Sequence, residues 1–261
     1  MPKTKTNPKP RNKTGTKQKL FTGYFQDTPD DRDYALSALN TTIIDIDMSE
    51  YVQYIRDQKY NNCVTCAIDA AFEMENIITH NKKVWVGEQY GLADGFLYTL
   101  ARQEDGSFPE NVGTYPRKVL KIATKVGIPP DKIMPYEYYK VKDEPNLKAK
   151  LSANFYKIKR YEALSKEQIP YAVSNKKPVV FGMLLDNAFI NYKKGEILTQ
   201  TTDGYYGGHA MVIAGLKIIN GQVVYKILNS WGRDKGNNGY YLISQQYFNT
   251  RLYEPAWAIY V

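Results

Sequence analysis

Two cysteines, two histidines and a few well-placed amides limit the chemistry open to this 261-residue chain. Cys63 opens an apolar run with helical spacing, and the positive end of a helix favours the thiolate that a sulfur nucleophile needs. His209 follows Gly207-Gly208 and leads into a strand-like apolar run, from which an imidazole could take the thiol proton. Asn229, in Asn229-Ser230-Trp231-Gly232, offers an amide oxygen that can accept the imidazole N–H and hold the ring. Gln58, shortly before Cys63, carries N–H donors that could join a backbone N–H around an oxyanion. The parts of a thiol acyl-transfer site are all present, in a workable order.

Those residues need elements to hold them. Val64, Ala67, Ile68, Ala71, Phe72 and Ile78 recur at helical spacing and predict a helix over 63–78, with Asn61-Asn62 placed to cap its first N–H groups. Residues 89–102 and 116–126 predict two more helices, the latter with Pro116 at its start and Gly127 past its end. Residues 42–46 read as a short strand. After Pro145 the pattern changes to strand-like runs at 155–161, 178–184, 210–219, 222–229 and 239–243, with a short helix over 164–175. Ile219-Asn220-Gly221-Gln222 is a hairpin turn signal. A helical first half and a β-rich second half make an α+β fold of two lobes, and a cleft between lobes is a usual place for a site. The expected organisation is a tail over 1–19, an irregular arm over 20–40 and a body over 41–261. Within the body a helical lobe covers about 57–145 and a β-rich lobe about 146–250, with the termini crossing between them.

Composition narrows the classes further. Hydrophobic residues at 43% and charged residues at 24% exclude wholesale disorder. Seven of the lysines and arginines, and no acid, fall in residues 1–19, so most of the formal +8 belongs to the tail. That tail, rich in Pro, Thr and Asn, reads as disordered; it could touch nucleic acid, an acidic membrane face or an acidic partner, or be a solvated leader with no partner. No basic stripe interleaved with aromatics follows it, which argues against a nucleic-acid-binding domain. No apolar run approaches bilayer length and the start has no apolar signal region, so the expectation is no membrane span and an intracellular or virion-associated protein. Two cysteines cannot build a disulfide framework, and His80 and His209 lack zinc-ligand spacing. His80 falls near the end of the first helix, where a cation suits the macrodipole, and reads as structural.

The motifs resemble those of the papain-like cysteine peptidases, in their bacterial and viral branch, from about Gly23 to the C-terminus. Asp27-x-Pro29-Asp30-x-Arg32-Asp33 is similar to the leader of that branch, and Asp57-Gln58 to its oxyanion segment. Gly208-His209-Ala210, Asn229-Ser230-Trp231-Gly232 and Gly236-x-x-Gly239-Tyr240 match closely. The resemblance implies a papain-like two-lobed fold and hydrolysis of protein or peptide substrates through Cys63, His209 and Asn229, with Gln58 at the oxyanion and no metal or organic cofactor. It further implies that Trp231 shields the Asn–His hydrogen bond and that Gly208 lines the cleft near the scissile bond. Gly113, in Asn111-Val112-Gly113-Thr114-Tyr115, is either the backbone edge that pairs with an extended substrate or a plain turn into the next helix.

The nucleophile motif departs from the family pattern and leaves two registers. Cys63-Val64-Thr65-Cys66-Ala67 read literally makes Cys66 the nucleophile; the Gln58 spacing, the acidic Asp69 in that register and the position at the helix start favour Cys63. Lys59, Asn61 and Asn62 stand where the family has Gly and Ser. Two other classes compete: a catalytically silent papain-like binding module, and a Cys-x-x-Cys thiol oxidoreductase, although no thioredoxin-like pattern surrounds the pair.

Overall fold

The structure is a computed structural model that describes residues 21–30, 33, 42–83 and 91–261. The basic tail and the start of the second predicted helix lie outside the described residues. Among the described residues the helices are α1 (Cys63–His80), α2 (Asp94–Asp105), α3 (Pro116–Lys125), α4 (Leu147–Ala153), α5 (Ile169–Ser174), α6 (Asn187–Ile190) and α7 (Gln245–Arg251). The strands are β1 (Ile46–Asp47), β2 (Arg160–Leu164), β3 (Val179–Leu184), β4 (Ile197–Leu198), β5 (Gly208–Ile219), β6 (Gln222–Leu228), β7 (Tyr240–Ser244) and β8 (Leu252–Tyr260). They form one sheet in the order β2-β8-β3-β5-β6-β7-β4, with β1 added against β5; only the β4–β7 pair is parallel.

Helix α1 is buried on every side from Cys63 to Glu75, so it forms a central post of the core rather than an amphipathic surface helix. Its main partner is β5, the longest strand. At its far end His80 Nε2 lies 3.3 Å from the Val261 oxygen, fastening the helix to the end of the chain. The predicted side-chain cap is not made: Asn62 is the N-cap residue, but its side chain bonds elsewhere. Tyr136 Oη donates to Asn62 Oδ1 at 3.0 Å and Asn62 Nδ2 lies 3.3 Å from Cys66 Sγ.

The hairpin forms as its turn residues require, with Asn220 at φ 52° and Gly221 at φ 76° between paired Ile219 and Gln222. Elsewhere local pattern misplaced elements. The strand read over 155–161 begins at Arg160, because Asn146 caps α4 and the chain is still turning at Phe155. The helix read over 164–175 shrinks to α5, since Leu164 ends β2. The short first strand is only Ile46–Asp47. No helix among the described residues is long and apolar enough to cross a membrane.

Candidate active site

Cys63 is the first residue of α1, fully buried, with its sulfur against the backbone N–H groups of Cys63, Val64 and Ala210. Ala210 follows His209 on β5, so the packing of α1 on β5 sets the Cys63 sulfur against the residue next to the histidine. His209 Nε2 lies 2.8 Å from Asn229 Oδ1, and the Ser230 N–H donates to the same oxygen at 2.7 Å. An oxygen that accepts from a backbone N–H accepts from the ring too, so Nε2 carries the proton in the neutral ring and Nδ1 is left as an acceptor. Nδ1 is buried with no hydrogen-bond partner. Trp231 stacks on the imidazole at 4.6 Å between centroids, which covers the His209–Asn229 pair from one side.

Burial pushes the Cys63 thiol up to about 12, against the pull of the three N–H groups, and pushes the His209 imidazole down to about 4. Both groups are therefore neutral in the covered site. Cys66, one turn along α1, has its sulfur 3.3 Å from Asn62 Nδ2 and lines a small cavity with Ala210, Asn229 and Ser230; burial raises its thiol well above the usual range. Both thiols are free.

Gln58 is fixed from the opposite wall. Its N–H donates to the Ser230 carbonyl at 2.8 Å and Ser230 Oγ donates to its Oε1 at 2.6 Å. One amide N–H goes to the Tyr60 carbonyl at 2.8 Å, and an amide has a second to offer. The segment carrying Gln58 is anchored by Arg56, whose guanidinium reaches Asp94 on α2 and Glu73 on α1, each at 2.6 Å. Asp69 lies in the same buried cluster, and desolvation with the neighbouring Asp94 charge raises its carboxyl well above the usual range. One guanidinium cannot balance three buried carboxylates, so Asp69 is held as the neutral acid. Among the described residues no group of three or more His, Cys, Asp or Glu side chains is arranged to hold a metal ion.

A segment of the arm runs through the cleft. The N–H groups of Gly23 and Tyr24 donate to the Gly208 carbonyl at 3.2 and 3.1 Å. Across the cleft the Thr114 N–H donates to Gly23 O at 2.9 Å and the Phe25 N–H to Thr114 O at 3.0 Å, a parallel bridge. Trp231 Nε1 donates to Phe21 O at 2.9 Å. The Tyr24 ring stacks on Tyr253 at 5.5 Å and fills the space over Gly182, where an added Cβ would lie 2.1 Å from the ring. Gly23 sits at φ 139°, and a Cβ there would stand 2.1 Å from the Asn61 carbonyl oxygen. Farther along, Arg117 pairs with Asp33 at 2.6 Å, and its backbone N–H donates to Asp27 Oδ2 at 2.9 Å.

The structure thus brings Gly113, Gly208 and Trp231 together around the arm, and Cys63, His209 and Asn229 beneath it. Pairing at the helical-lobe edge runs through the Thr114 backbone, with Gly113 the position of close approach; its Cβ would lie 2.5 Å from Gly23 O. Sequence reading missed Tyr24, Thr114, Gly182 and Tyr253. The Gly23-Tyr24-Phe25 cluster was a visible signal, but nothing local gave its destination.

Comparison with known proteins bears on the fold and the family. The papain family cysteine protease profile matches residues 41–256. A peptidase C1-like protein of Acanthamoeba polyphaga mimivirus, itself uncharacterized, is 23% identical over 260 residues, covering 86% of this chain and 81% of its own. Xylellain, a cysteine protease from Xylella fastidiosa, superposes with a TM-score of 0.80 at 23% identity, covering 92% of this chain and 96% of its own. The procathepsin B S9 of Trypanosoma congolense does so at 0.71 and 18%, covering 91% and 85%. At such identities the solved structures speak for the fold, which is papain-like; the profile, spanning most of the chain, speaks for the family. The chain belongs to the papain family of cysteine proteases.

Proposed function

We propose that this cysteine protease hydrolyses peptide bonds of protein or peptide substrates with Cys63 as nucleophile. The observation that carries the reading is the His209 ring, bound through Nε2 to Asn229 and left with Nδ1 unpartnered, next in the chain to Ala210, whose backbone N–H meets the Cys63 sulfur. The Cys63 proton passes to Nδ1 as sulfur attacks the carbonyl carbon. The resulting oxyanion is held by the Cys63 backbone N–H and the second amide N–H of Gln58. Collapse breaks the C–N bond, and Nδ1 returns the proton to the leaving amine. Water then attacks the thioester, losing its proton to Nδ1, and the acid leaves as the thiol is restored. Asn229 holds the ring throughout, and Trp231 keeps water from their hydrogen bond.

The covered form is a resting state. Backbone bonds on both walls and the Tyr24 ring take the space a substrate would need, and the neutral thiol and imidazole are the forms expected of a dry site. The test is turnover of a fluorogenic peptide pool by the full-length chain and by its Tyr24→Ala variant. Hydrolysis that rises in Tyr24→Ala and vanishes when Cys63→Ala is added supports the reading. Hydrolysis that survives Cys63→Ala would overturn it.

A further inference from the structure

Helix α4 presents the reverse of an ordinary surface helix. Ala149 and Ala153 are fully buried on its inner side, while Leu147 and Leu151 are 72% and 65% exposed on its outer side. Phe155, in the turn that continues from the helix, extends the same i, i+4, i+8 column and is 81% exposed. Large apolar side chains this exposed, lined up on one ridge, mark a contact surface rather than scattered surface residues.

The charge around the ridge selects its partner. Lys148 and Lys150 fall on either flank of the Leu147–Leu151 line, and both are exposed. Lys157, Lys159 and Arg160 follow, and residues 145–161 contain no acid; Glu144 precedes the stretch and Glu162 follows it. Lys159 and Arg160 are engaged with the Val261 oxygen and Glu162, whereas the flanking lysines extend from the ridge itself. A second copy docked on this ridge would oppose lysine to lysine. An apolar ridge with lysines that can reach outward past it suits the interface of an anionic bilayer, where leucine and phenylalanine enter the acyl boundary and ammonium groups meet phosphate. We infer that the ridge of Leu147, Leu151 and Phe155, with Lys148 and Lys150, docks this protease on an anionic membrane surface.

The test is sedimentation of the full-length chain with vesicles of phosphatidylcholine alone or mixed with phosphatidylserine. The expected result is binding only to the mixed vesicles, weakened by salt and reduced about tenfold or more by Leu151→Ser with Phe155→Ser, and likewise by Lys148→Glu with Lys150→Glu. The altered side chains are exposed, so unchanged melting temperatures accompany these losses. Undiminished binding by both double variants would assign the attraction to the basic tail and overturn the inference, as would no binding to the mixed vesicles. A concentration-dependent dimer in light scattering, abolished by Leu151→Ser with Phe155→Ser, would overturn it in favour of a second copy.

Discussion

The His209 ring is held by Asn229 at one nitrogen, 2.8 Å away, and has no hydrogen-bond partner at the other. Removing the acceptor frees the ring to rotate and to carry its proton on either nitrogen. Asn229→Ala should lower kcat/KM by about 10-fold or more, and His209→Ala by about 100-fold to 10000-fold, the usual worth of a positioned acid–base group. Steady-state kinetics in a Tyr24→Ala background checks this. A His209→Ala enzyme with undiminished turnover would exclude the ring from the chemistry.

The Tyr24 hydroxyl is buried without a partner, and burial raises its pKa. An orphaned buried hydroxyl costs about 1–3 kcal/mol, so Tyr24→Phe should tighten the arm and lower turnover of the full-length chain several-fold. Tyr24→Ala should act in the opposite direction by emptying the space over Gly182. Gly182→Val, which puts side-chain atoms into that space, should also loosen the arm. Limited proteolysis within the arm reads the same equilibrium independently of catalysis.

Arm docking should respond to pH through Asp27. Burial raises its carboxyl to about 6, against the opposing pull of Arg117 and Lys121 and with the Asp33 charge adding to the rise. A group whose pKa is higher in the docked than in the free state favours docking below its free value and loses that contribution as pH rises through the docked value. Docking is therefore tightest below about pH 4 and loosens through about pH 6. Asp27→Asn mimics the protonated form, so the ratio of wild-type to Asp27→Asn turnover should rise between about pH 5 and about pH 7. A flat ratio would remove Asp27 from arm release.

Arg56 holds together the Gln58 segment, α1 and α2. Arg56→Met leaves Glu73 and Asp94 buried without the cation they share and should cost about 3–5 kcal/mol of stability, measured by urea unfolding. Cys66→Ser should instead leave kcat/KM within about 2-fold while costing about 1 kcal/mol of stability.

The helices α1 and α3 and the β5–β6 hairpin were legible because each announces itself locally, through a 3.6-residue period, a proline at a helix start, or Asn-Gly at a turn. Strand β8 was not. Glu254-Pro255 interrupts its pattern, and its buried residues, Ala256 to Ile259, run consecutively rather than alternating, as in a strand covered on both faces; α1 packs on it. In the site, Cys63, His209, Asn229 and Gln58 stand in short motifs whose residue types suggest their chemistry. The arm's contacts join Gly23 to Thr114 and Gly208, far apart in the chain, so no local pattern encodes them.

Cys63 is proposed as the reacting thiol, with His209 as its base. The most direct measurement is labelling of the Tyr24→Ala chain with an epoxide that targets papain-like thiols, followed by peptide mapping by mass spectrometry. The expected result is a single adduct on Cys63 that disappears in His209→Ala. An adduct on Cys66, or one on Cys63 that forms as fast without His209, would contradict it.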